Sequence, residues 1–142
     1  MEEQKMAESQ AVALLPAADD GLVAWTHVIY GLHAVSVLSG LLTPVTIVSA
    51  FITGWPSILA VILNYIKRSD ARGSFVESHF RWQIRTFWFT LMWLCIIALL
   101  WMTFIGIPVA IGLSAVVGIW VFYRVLRGWL TLQKRKPIVF GG

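Results

Sequence analysis

Two long stretches of this chain carry no charged side chain: residues 21–66 and residues 86–123 contain no Asp, Glu, Lys or Arg. Between them lies KRSDARGSFVESHFRWQIR, residues 67–85, where five basic and two acidic residues stand among aromatics. A charge at the centre of a bilayer costs about 2.5–3.5 kcal/mol on insertion scales, so uncharged runs of this length mark segments that lie in lipid. A spanning helix takes about 20 apolar residues at about 1.5 Å each, and each run is long enough for two crossings. The pattern predicts an all-α polytopic membrane protein, with about four transmembrane helices in two hairpins joined by a basic, amphipathic cytoplasmic segment.

In the second run Thr103-Phe-Ile-Gly-Ile-Pro108 is the expected turn, Gly106 ending one helix and Pro108 opening the next at its first position. Two breaks compete in the first run. Thr43-Pro44 divides it evenly, whereas Gly54-Trp-Pro56 has the better turn chemistry and is preferred, leaving Pro44 as a kink in a long first helix. The second helix would then start at Pro56 and pass Ile66 by letting Lys67 and Arg68 snorkel to the headgroups; a half-crossing segment is the alternative.

Composition agrees with lipid burial: 58% of the residues are hydrophobic and 13% charged, against about 25% charged in soluble domains. The first residues lack the basic start of a secretory signal, carrying Glu2, Glu3 and Glu8 instead, and Asp19 and Asp20 mark an aqueous boundary. Residues 1–21 read as a disordered tail, 22–132 as a helical membrane domain and 133–142 as a basic C-terminal tail.

Five basic residues lie in the central break and five more follow position 123, while the expected turns have none. The positive-inside rule puts the break and both termini in the cytoplasm. The basic residues flank the apolar runs, so the net charge of +4 reads as lipid anchoring and not as nucleic-acid binding. Seven of the tryptophans (Trp25, Trp55, Trp82, Trp88, Trp101, Trp120 and Trp129) fall mostly near the proposed helix ends, as an interfacial belt would.

Ser74 followed by Glu77 matches a capping box, so a helix is predicted to start there and run into the third span. Glu77, Arg81 and Arg85 recur every four residues beside an apolar stripe of Val76, Phe80, Ile84 and Phe87. Lys67, Arg68, Arg72, Glu77, His79, Arg81, Arg85, Arg124 and Arg127 are the candidate contacts to a partner or to anionic phospholipid. Arg81 and Arg85, like charges one turn apart, call for an anionic third party. Small residues four apart, Ser36 and Gly40 in the first span and Ala110, Ser114 and Gly118 in the last, are candidate helix-packing faces.

His27 and His33, six residues apart, lie about 120° apart on a helix and make poor joint ligands. No cysteine or acid cluster supports a metal or haem site with His79, so neither metal nor cofactor is expected. Asn64 is expected to hydrogen-bond between helices, and Cys95, the single cysteine, to act as a small buried hydrophobe. No nucleophile and base stand in a recognisable arrangement. The expected function is that of a non-enzymatic membrane component, an accessory or assembly subunit whose basic cytoplasmic face binds a partner or anionic lipid. A small oligomeric channel or transporter is the alternative, made less attractive by spans without Asp or Glu.

The order of an apolar helix pair, the break NYIKRSDARGSFVESHFRWQIRTF and a second apolar pair resembles a family. It is that of the small bacterial membrane proteins grouped with the twenty-kilodalton subunit of the chloroplast inner-envelope import translocon. The resemblance covers roughly residues 24–132, with His79 at the place of the family's histidine and Phe80 and Gln83 nearby. Arg81, Trp82 and Ile84 stand where the family has an alanine-asparagine-phenylalanine pattern. The resemblance implies a bacterial inner-membrane location and about four helices, and the bacterial members lack an assigned activity.

Overall fold

The computed structural model describes residues 1–15, 17–42 and 47–139, excepting the side chains at 12, 41–42 and 47–53. These residues form helices α1 (Glu2–Ala13), α2 (Asp20–Leu42), α3 (Ile47–Lys67), α4 (Val76–Trp101) and α5 (Gly106–Gln133). Three helical stretches among them, Asp20–Gly40, Val76–Trp101 and Gly106–Gln133, are long and apolar enough to cross a membrane.

The leader, predicted to lack a fold, carries α1. Its sequence EEQKMAESQAVA consists mostly of strong helix formers, with Glu2 and Glu3 at the positive end of the dipole. Among the described residues α1 packs on none of the other helices.

The turn preferred at Gly54-Trp55-Pro56 does not exist, because α3 runs through it from Ile47. Pro56 removes one backbone donor and crowds the preceding turn; in a membrane helix neighbouring helices and hydroxyl side chains can compensate. The competing break at Thr43-Pro44 lies outside the described residues.

The start of α4 also departs from its signature. Ser74 Oγ donates to the Ala71 carbonyl at 2.9 Å instead of capping the helix, and Glu77 Oε2 accepts from the Gly73 N–H at 2.9 Å. Glu77 thus makes the back-reaching half of a capping box, displaced by one residue. Gly73 has φ 77°, the left-handed region open to a residue without Cβ.

Residues 102–105 connect α4 to α5, and the helix boundaries differ from the predicted ones. Gly106 opens α5 and Pro108 is its third residue. Pro108 therefore still lies in the first turn, where its missing N–H costs nothing. A Cβ at Gly106 would strike the Leu100 carbonyl and the Thr103 hydroxyl, so this tight connection requires glycine.

Helix α2 is the hub, packing on α3, α4 and α5, while α3 and α5 do not touch among the described residues. The largest fully buried side chains include Tyr30, Ile29, Phe80, His79, Gln83, Asn64 and Leu132. All sit toward the end of the bundle that carries the basic residues. Farther along α4 only Ile97 is buried, and Leu91, Met92, Leu94 and Leu99 face outward. Only 11% of the most apolar 18-residue stretch of α4 is buried inside the protein, which leaves an apolar surface suited to lipid. Cys95 is on that outer face, not in the interior expected of it. Lipid offers an apolar side chain about the same surroundings as a core does, so helix association here rests on fit and on interhelical hydrogen bonds.

Candidate functional site

Three arginines converge between the end of α3 and the first half of α4. Arg68, Arg81 and Arg85, with Ile84, line an open pocket of about 290 Å³. The one-turn spacing of Arg81 and Arg85 is legible in the sequence; Arg68 joins them because α3 and α4 pack side by side. Glu77 stands 3.9 Å from Arg81, but its other oxygen holds the Gly73 amide. The Arg85 guanidinium lies 5.6 Å from the centroid of the Phe89 ring. Of the remaining candidates in the break, Lys67 pairs with Asp70 at 3.1 Å and Arg72 is exposed on the connecting loop.

His79 is not on that outer face. It is fully buried, with Nε2 2.7 Å from the Lys136 carbonyl oxygen and Nδ1 3.0 Å from the Tyr30 hydroxyl. A carbonyl can only accept, so Nε2 carries the proton and the lone pair of Nδ1 accepts from Tyr30. Both ring nitrogens are occupied. The Tyr30 and Phe75 rings meet the imidazole edge to face, with centroids 5.9 and 6.2 Å away.

Lys136 reaches His79 because α5 ends in a Schellman turn. Arg135 takes φ 51°, its N–H donates to the Leu132 carbonyl at 2.8 Å, and the Lys136 N–H donates to the Thr131 carbonyl at 3.3 Å. Beyond the turn the chain lies on the start of α4, where the Ile138 N–H donates to Ser78 Oγ at 2.9 Å. The reversal is also tied to the start of α2, by Arg135 and Asp20 at 2.5 Å.

Arg124, a candidate lipid contact by its sequence position, turns inward between α5 and α4. Its guanidinium lies 3.7 Å from the Trp82 ring centroid and 5.1 Å from that of Trp120, and Nε donates to Thr86 Oγ1 at 2.8 Å. Trp82 Nε1 donates to the Arg124 carbonyl at 3.1 Å, which closes a reciprocal clasp. Arg127 is half-buried, 5.6 Å from the same Trp82 ring. Trp82 is therefore an interior residue and not a member of an interfacial belt; Trp25, Trp55 and Trp88 are exposed.

The predicted packing residues are divided. Ala110 is fully buried and Ser36 is buried, whereas Gly40 and Ser114 are exposed and Gly118 is half-buried. The buried face of α5 runs instead through Gly106, Ala110, Val117, Val121, Val125, Gly128 and Leu132. A spacing of four alone drifts around a helix, whereas this series alternates between steps of three, four and seven and stays on one side.

The histidines in α2 serve as helix ties. Trp129 Nε1 of α5 donates to His27 Nδ1 at 3.0 Å, and His33 Nδ1 lies 3.0 Å from Ser57 Oγ of α3. With Tyr30 and His79, α2 thus has a polar link to each of its three neighbours among the described residues. Asn64 does not make its expected interhelical bond: both amide atoms of Asn64 and of Gln83 are buried without a partner, as is Arg124 Nη2. Such groups cost about 1–3 kcal/mol each when left dry. Among the described residues no three His, Cys, Asp or Glu side chains gather as a metal set.

No family model, curated protein or solved structure matches this chain.

Proposed function

We propose that the chain is a non-enzymatic integral membrane protein of the bacterial inner membrane, an accessory or assembly subunit whose basic cytoplasmic face binds anionic lipid or a partner. The convergence of Arg68, Arg81 and Arg85 on one open pocket carries this reading, because three guanidinium groups stand there against the single Glu77 carboxylate. Helix α3, with 21 residues, has the length of a fourth crossing. With α3 counted, the chain makes four crossings in two hairpins, and the positive-inside rule then orients the basic break and both termini to the cytoplasmic side. The occupied ring of His79 speaks against a proton-handling role, since neither nitrogen is free to meet a substrate. The resemblance to the import-translocon family agrees with this location.

The test is gentle extraction of tagged protein from its native membrane, wild type against Arg81→Ala with Arg85→Ala, followed by mass spectrometry. A stoichiometric protein present with wild type and lost from the variant supports docking through this face. Equal recovery of that protein with the variant, or no companion with either, overturns it.

The second reading, a small oligomeric channel, draws on the unpartnered amides of Asn64 and Gln83, which could line a wet path. Ion flux in liposomes that is lost on Gln83→Leu would favour it.

A further inference from the structure

The pocket of arginines lies at the head of the groove-like seam where α3 and α4 pack side by side. Helix α3 runs toward the basic end of the bundle and α4 runs away from it, so moving into the membrane means lower numbers on α3 and higher numbers on α4. Three residues before Arg68 stands Tyr65, and three residues after Arg85 stands Trp88; Trp88 Nε1 donates to the Tyr65 hydroxyl at 3.1 Å across the groove. Three residues of helix descend about 4.5 Å. One turn deeper again come Ile62 and Met92, both exposed. The polarity along this line therefore steps from guanidinium to a hydrogen-bonded aromatic pair to bare hydrocarbon.

We propose that this groove holds one anionic phospholipid, its phosphodiester among Arg68, Arg81 and Arg85, its ester region at the Tyr65–Trp88 pair, and its acyl chains on Ile62 and Met92. The phosphodiester offsets the net positive charge of the pocket, where three guanidinium groups stand beside the carboxylate of Glu77. Its two free oxygens suit the fork of a guanidinium, which binds phosphate more specifically than an ammonium does. The pocket volume of about 290 Å³ is roughly ten times the share of one water in the liquid, and the pocket is open to the outside. A soluble anion would use the arginines but not the aromatic and apolar steps below them. The proposal deepens the reading of the basic face and rests on its lying at the membrane surface.

Native mass spectrometry of the purified full chain, with phosphatidylglycerol or phosphatidylcholine added in detergent, tests it. The expected result is one retained phosphatidylglycerol per chain under conditions that strip phosphatidylcholine. A basic residue near an anionic lipid surface is worth about fivefold in affinity, so Arg81→Gln with Arg85→Gln lowers retention roughly thirtyfold. Lys134→Gln, at an exposed position outside the pocket lining, leaves retention unchanged. Equal retention of the two lipids by wild type overturns the proposal without recourse to any variant. So does displacement of phosphatidylglycerol by millimolar inorganic phosphate, which would make the pocket a soluble-anion site. Recovery of a partner protein bears on the accessory reading and not on this result; the lipid site stands or falls by itself.

Discussion

The ring of Tyr30 lies directly on Gly128: a Cβ built at Gly128 would stand 2.7 Å from Tyr30 Cε1. The absent side chain on α5 is what lets Tyr30, from α2, extend to His79 on α4. Gly128→Ala forces the ring aside and, as an overpacking change, should cost about 1–3 kcal/mol. Thermal unfolding in detergent reads this. Gly31→Ala, where a Cβ meets nothing within 4 Å, should be neutral or slightly stabilising.

His79 joins α2, α4 and the C-terminal segment, so removing it strands the Tyr30 hydroxyl and the Lys136 carbonyl at once. His79→Leu should destabilise by about 2–4 kcal/mol, at about 1–3 kcal/mol for each orphaned group less the gain in apolar packing. It should also free the segment after Gln133. Trypsin cleavage after Lys134 and Arg135 should become faster in the variant while sites in the break keep their rate.

Arg124→Lys keeps the charge but loses the flat group that lies over Trp82 and the Nε–H given to Thr86. The expected loss is about 1–2 kcal/mol, and a lysine should not rescue it at any ionic strength. Unfolding midpoints of Arg124→Lys, Thr86→Val and the double variant form the check. A double variant that loses less than the sum of the singles is expected, because each single change already removes their shared bond; a loss equal to the sum would deny that the two residues act together.

Arg135 holds a left-handed conformation that costs a residue with Cβ about 1–2 kcal/mol. Arg135→Gly relieves this strain but loses the ion pair to Asp20, which is exposed and worth about 0–1 kcal/mol. The variant should therefore be at least as stable as wild type, whereas Arg135→Val should lose about 1 kcal/mol or more. Thermal unfolding of the three proteins orders them.

Hydropathy alone located α4, α5 and the start of α2, because exclusion of charge from lipid is a local property of each stretch, but it did not place the end of α2 at Leu42. Local chemistry misled at Gly54-Trp55-Pro56, since a turn signature there is overruled where lipid penalises unpaired backbone groups and packing sustains a helix through proline. The basic stripe of Arg81 and Arg85 was legible from its spacing. The inward roles of His79 and Arg124 were not, because Tyr30 lies 49 residues from His79 and Lys136 lies 57 residues from it. The one available hint for Arg124 was Trp120 a turn before it, a spacing that places a cation beside an aromatic face on any helix.

The polar links of α2 also bear on how the protein is made. Among its link residues His33 finds Ser57 soonest, whereas Tyr30 must wait for His79, and the partner of His27, Trp129, lies 102 residues downstream. At about 5–20 residues synthesised per second, that interval is roughly 5–20 s. During it the first membrane helix carries groups whose partners do not yet exist. The ribosome must pass Trp129 before α2 has all of these partners, so a product truncated before α5 leaves the membrane with the His27 imidazole unpaired from Trp129 and the bundle unclosed.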